Sequence, residues 1–148
     1  MTYLLDTNHF SRLVLGNITV RGKIAQVGEA NVGISIITTG EMLYMAYNSQ
    51  RKEKNLAHIQ AYLRDISIYP LNREIAENYG KFKADLIDYF GLKERQKRRQ
   101  TKIAEIGVSD HDLWIACTAI HHSLTIVSTD SDFSRMKQVM NFSWESWL

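Results

Sequence analysis

Tyr3-Leu4-Leu5-Asp6-Thr7-Asn8 places a short apolar run almost at the first residue and stops it on three residues that favour turns and helix starts. This reads as a buried strand with an acid at its carboxyl end. Working outward, helical stretches are expected over His9–Leu15 and Val20–Val27, each closed by a glycine, Gly16 and Gly28, able to take the left-handed cap conformation. Val32–Ile37 reads as a second strand, and Thr38–Tyr47 and Asn55–Leu63 carry apolar residues at helical spacing. Ser67–Leu71 is a weaker strand. After it, Asn72 can cap a long helix through Ile75, Tyr79, Phe82, Leu86 and Tyr89, closing at Gly91. A helix begun near Ser109 buries Ile115, Ala116, Ala119 and Ile120, Leu124–Val127 suits a central parallel strand, and a last short strand is expected near Val139. Strands separated by helices, with nearly uninterrupted apolar strand runs, specify an α/β fold with a mostly parallel sheet.

The 148 residues are 45% apolar with one proline, enough for a single domain, residues 1–148, to bury its own core. The lone Cys117 has no disulfide partner, and no secretory signal or apolar run approaching the ~20 residues of a membrane span is present. A cytoplasmic protein with no membrane partner is the expectation.

Charge is unevenly placed. Lys93, Arg95, Lys97, Arg98, Arg99 and Lys102 supply six of the 18 basic residues against one acid, Glu94, which leaves the rest of the chain at −3. A solvated loop would account for such a run. Beside a carboxylate-rich site it is also what holding a polyanion would require.

Four acids fall where an open parallel sheet binds ligands, outside the carboxyl ends of its strands. Asp6 ends the first strand, Glu41 lies just after the second, Asp112 lies in the first turn of a helix, and Asp130 follows Leu124–Ser128. Each has a local structural use. Asp6 can cap the next helix, Thr38-Thr39-Gly40-Glu41 has capping-box spacing with Glu41 reaching back to the Thr38 amide, and Ser109-Asp110-His111-Asp112 repeats that spacing. Capping requires neither a shared edge of the sheet nor an apolar strand ahead of the acid, and does not explain the joint pattern. Carboxylates held together repel unless a cation neutralises them, and an all-oxygen set selects a hard cation, Mg²⁺ or Mn²⁺. None of His9, His58, His111, His121 and His122 sits at a motif spacing from a nucleophile, and Trp114 and Phe133 read as core residues.

Leu4-Leu5-Asp6-Thr7-Asn8, Ser35-Ile36-Ile37-Thr38-Thr39-Gly40-Glu41-Met42, Asp112-Leu113-Trp114-Ile115-Ala116 and Val127-Ser128-Thr129-Asp130-Ser131-Asp132-Phe133 together resemble the PIN-domain nucleases, specifically VapC-type toxins, over essentially the whole chain. The resemblance implies a PIN-like α/β/α sandwich and a metal-dependent endoribonuclease with core acids Asp6, Glu41 and Asp112 and a fourth acid, Asp130 or Asp132. It matches Thr7 and Asn8 to the polar pair beside the first acid, with Thr38 near the second. It also implies a homodimer, a small VapB-like antitoxin partner and an RNA substrate of the tRNA or rRNA class. Asp6 and Asp112 are expected to bind the ion, Glu41 to hold or deprotonate the attacking water, and Asp130 to complete the set. Two departures stand out: the additional acid Asp110, and the length of the basic segment before Ile106. A housekeeping RNA-processing nuclease would carry the same acids. A non-catalytic RNA-binding subunit would need the basic segment but gain only repulsion from them.

Overall fold

A computed structural model describes residues 1–91 and 99–148. Five short strands, β1 (Tyr3–Leu5), β2 (Val32–Ser35), β3 (Ser67–Tyr69), β4 (Thr125–Val127) and β5 (Ser143–Glu145), pair in the order β3-β2-β1-β4-β5, every pair parallel. The helices are α1 (Thr7–Val14), α2 (Ile18–Val27), α3 (Ile36–Tyr47), α4 (Lys52–Asp65), α5 (Arg73–Phe90), α6 (Asp110–His122) and α7 (Ser131–Met136). The chain builds β2 and β3 outward on one side of β1, then crosses to lay β4 and β5 on the other. The strand order therefore reverses between β1 and β4, the position where parallel sheets open a crevice at their carboxyl edge.

Alternation along the central strands divides the core into two layers. Leu4 and Ile126 face the layer formed with Ile75 and Leu86 of α5 and Leu113 to Ala119 of α6; Leu5 and Val127 face the one formed with Phe10, Val20, Ile24, Met42 and Ile59. Helices thus cover both faces, the α/β/α sandwich expected from the sequence, and the sheet is wholly parallel. Fully burying a leucine such as Leu5 contributes roughly 1.5–3 kcal/mol.

The helix starts come from specific caps. Asn72 Oδ1 accepts the Ile75 amide at 2.8 Å and Ser109 Oγ the Asp112 amide at 3.1 Å, as the sequence indicates. Gly16 and Gly28 follow α1 and α2 at positive φ, +84° and +94°, which glycine permits; Gly28, at ψ 129°, does not take the expected left-handed cap conformation.

Several expectations need correction. The second strand ends at Ser35, because Ser35 Oγ takes the Thr38 amide at 3.1 Å and begins α3 at Ile36. With that amide satisfied, Glu41 does not close a capping box on Thr38. Val139 lies in the turn after α7; the last strand is Ser143–Glu145, whose edge position lets Ser143 and Glu145 stay exposed. Helices α1 and α2 each start two residues earlier than their apolar periodicity indicates, at Thr7 and Ile18, because Asp6 and Asn17 cap them. Among the described residues no helix is long and apolar enough to cross a membrane.

Candidate active site

Parallel pairing brings the ends of β1 and β4 side by side, and the Asp6 amide extends the ladder to the Val127 carbonyl at 3.1 Å. Asp6 is 4% exposed and caps α1: Oδ1 accepts the His9 amide at 2.8 Å and lies 2.9 Å from His9 Nδ1, while Oδ2 accepts the Ser128 hydroxyl at 2.5 Å. The Ser128 oxygen in turn accepts the Asp130 amide at 2.9 Å. One buried hydroxyl thereby fixes both the first acid and the backbone of the fourth.

Asp130 caps α7 through the Asp132 amide at 2.9 Å, and Asp132 Oδ2 accepts the Ser109 amide at 2.8 Å. Ser109 is the cap of α6, so this bond docks α7 against the start of the helix bearing Asp112. As a result Asp112, Asp130 and Asp132 each present an oxygen within 4.8 Å of the others. Asp130 and Asp132, left as alternatives by the sequence, both reach Asp112. Asp6 and Glu41 stand outside this tight triad, with Asp6 near enough for its charge to raise the Asp130 carboxyl.

Glu41 belongs to a neighbouring network. Its Oε1 accepts the Thr7 hydroxyl at 2.7 Å, the Thr7 and Thr38 hydroxyls are 3.2 Å apart, and its Oε2 lies 3.1 Å from His111 Nδ1. Thr7 thus donates to the second acid rather than supporting the first, Thr38 stands beside Thr7, and Asn8 is exposed on α1.

Burial, the hydrogen bond to Asp132 and the charges of Asp130 and Asp132 push the Asp112 carboxyl up to about 8. Asp130 is raised as well, first by burial and then by Asp132 and Asp6, against the opposing effect of the Asp132 amide. A divalent cation among these groups would remove the repulsion, and oxygen-only donors suit a hard one.

Asp110 faces elsewhere. It accepts a short hydrogen bond from the Tyr79 hydroxyl and pairs with Lys83 Nζ at 3.1 Å, and Tyr79 hydrogen bonding with Lys83 beside it holds its carboxyl below the ordinary range. Tyr79 also stacks on Trp114 with ring centres 3.7 Å apart and 3° between planes, which gives Trp114 a packing role, and Phe133 is fully buried. His121 and His122 end α6. Of the basic segment, Arg99 and Lys102 are exposed; Arg95, Lys97 and Arg98 lie outside the described residues. Sequence reasoning missed Ser128, His9 and His111 as partners of the acids. A serine directly after an apolar strand and two residues before Asp130 was the available signal for the first.

An open parallel sheet with carboxylates lining its switch point defines an α/β domain built to bind a ligand at its carboxyl edge. The PIN domain family model matches residues 3–139, and the chain belongs to the PIN-domain family. Within it the chain is similar along its full length to VapC ribonucleases. It is 25% identical to ribonuclease VapC1 of Haemophilus influenzae strain R2866, over 99% of this chain and 98% of that protein. With ribonuclease VapC2 of strain KW20 / Rd it shares 27% identity over 100% and 99% of the two chains. In fold it matches the DNA-bound VapBC of Salmonella typhimurium (TM-score 0.79, 21% identity, 100% and 99% covered) and VapBC2 of Rickettsia felis bound to a promoter DNA fragment (TM-score 0.80, 21% identity, 100% of both).

Proposed function

We propose that this chain is a cytoplasmic VapC-type endoribonuclease toxin that uses Mg²⁺ or Mn²⁺ and is restrained by a small VapB-like antitoxin. The observation that carries this reading is the convergence of Asp112, Asp130 and Asp132 beside Asp6 at the switch point, with Asp112 raised to about 8. The full-length similarity to VapC ribonucleases and the toxin-antitoxin complexes among the fold relatives support it. A homodimer and a tRNA or rRNA substrate are part of the same reading.

Asp112, Asp130, Asp132 and Asp6 would hold the cation. When bound, it neutralises phosphoryl charge and acidifies the attacking water. Glu41, which accepts the Thr7 hydroxyl and pairs with the exposed His111, would accept the water proton. Asp6, fixed at both oxygens, keeps its orientation as substrate enters. Attack by water rather than the ribose 2′-hydroxyl leaves 5′-phosphate and 3′-hydroxyl ends. The exposed Arg99 and Lys102, with Arg95, Lys97 and Arg98, supply charge for RNA phosphates, which makes binding strongly salt-dependent.

The test is cleavage of structured RNA with Mg²⁺ by the purified chain, by Asp6→Asn and by Asp112→Asn, each with and without chelator. Loss of cleavage in both variants and under chelation is expected. RNA binding without cleavage by the wild-type chain would favour the binding-subunit alternative, and 2′,3′-cyclic phosphate products would refute attack by water.

A further inference from the structure

His9 is 0% exposed, and among the described residues its Nε2 is the buried side-chain nitrogen left without a hydrogen-bond partner. Burying an unpaired ring nitrogen costs free energy that an apolar side chain of the same size would not incur. Capping does not account for the imidazole, because the His9 backbone amide already satisfies the cap at 2.8 Å from Asp6 Oδ1. What the ring adds is a second bond to that same oxygen, 2.9 Å from Nδ1. A carboxylate oxygen accepts, so Nδ1 is the donor in this bond, and Nε2, turned into the core, meets no partner.

The consequence lies in the lone pairs of Asp6. A carboxylate has about four acceptor positions. Two on Oδ1 are taken by His9, one on Oδ2 by Ser128, and the carboxylate is fixed in rotation with one acceptor position of Oδ2 left over. We infer that His9 is a positioning residue for the acidic centre: its Nδ1–H occupies Oδ1 of Asp6 so that the carboxylate offers the cation one oxygen, Oδ2, in one orientation. This inference rests on the proposal that the acids hold a divalent metal.

Mn²⁺ uptake by the purified full chain, followed through the free-ion paramagnetic resonance signal, tests both levels. Asparagine places an amide N–H where His9 carries Nδ1, whereas glutamine places one where the site has no acceptor. His9→Asn is expected to hold Mn²⁺ close to wild type, and His9→Gln and His9→Leu to bind it ~10-fold or more weakly, the usual effect of losing a residue that orients a metal ligand. Wild-type affinity in the Gln and Leu variants, or an Asn variant as weak as both, would overturn the inference. The Asn and Gln variants are alike in polarity, so their comparison stands even if His9→Leu folds poorly. Asp112→Asn separates the two levels. If it binds Mn²⁺ like wild type, the reading of the acids as a metal centre fails; if it loses Mn²⁺ while His9→Leu does not, only the role of His9 fails.

Discussion

The Ser128 hydroxyl donates to Asp6 Oδ2 at 2.5 Å, joining residues 122 positions apart at the ends of the two strands that flank the switch point. Because the same oxygen accepts the Asp130 amide, Ser128→Ala would leave a buried carboxylate oxygen short of one donor and free an amide at the cap of α7. The expected cost is about 1–3 kcal/mol of stability, together with weaker Mn²⁺ binding. Urea unfolding and metal titration measure the two; a variant as stable as wild type with unchanged affinity would show that the link is dispensable.

The elevated Asp112 carboxyl gives a signed pH dependence. In the unfolded chain the group titrates near its ordinary value of about 3.9, and in the folded chain near 8. The folded protein therefore holds a proton the unfolded chain releases. This stabilisation is complete below the unfolded value and is lost as pH rises through about 8. The chelated wild-type chain should show a melting temperature that declines from the acid side toward pH 8, and Asp112→Asn a flatter profile. Cations compete with the same proton, so Mn²⁺ affinity should climb by up to about tenfold per pH unit until that value and level off above it. A profile identical in both proteins would remove Asp112 as its source.

The sequence made the acidic edge legible because Asp6 and Asp130 follow apolar strands and Glu41 and Asp112 lie early in helices, and such punctuation is local. Asn72 and Ser109 were readable as caps for the same reason. The choice between Ser35 and Thr38 was not: both can cap, and Ile36-Ile37 extends an apolar run that looks like strand until the Thr38 amide is given to Ser35. The strand Ser143–Glu145 escaped because an edge strand pairing only with β4 needs no buried alternation. Whether Asp130 or Asp132 reaches Asp112 depends on the docking of α7 onto the Ser109 amide, a contact across 23 residues. His9 has no sequence signal of this kind, because its partner is a carboxylate three residues earlier and not a nucleophile at a motif spacing.

Gly33 tests the packing of the outer strands. A Cβ at this position would sit 2.7 Å from Tyr69 Cε2 and 2.9 Å from the Ser67 carbonyl oxygen, one of them backbone of the paired strand β3. Gly33→Ala should cost about 1–3 kcal/mol, as overpacking in a tight core does. Since β2 and β1 separate β3 from β4, Mn²⁺ affinity of the folded fraction should stay unchanged. Calorimetric unfolding with and without Mn²⁺ checks both statements.

Asp110 and Asp112 are rivals by sequence for the third acid, and their surroundings assign them opposite properties. Asp110 is held below the ordinary carboxylate range by Tyr79 and Lys83, a group already supplied with donors and a cation. Asp112 is raised to about 8 by burial and by the acids Asp130 and Asp132 around it. Asp110→Asn should therefore leave Mn²⁺ binding and RNA cleavage near wild type. Its stability cost should be about 0.2–1 kcal/mol, the size of a partly exposed ion pair, because the asparagine carbonyl still accepts the Tyr79 hydroxyl. Asp112→Asn should abolish binding while relieving the repulsion in the chelated protein. Loss of Mn²⁺ binding in Asp110→Asn alone would reverse the assignment and require α6 to present its first residue, rather than its third, to the centre.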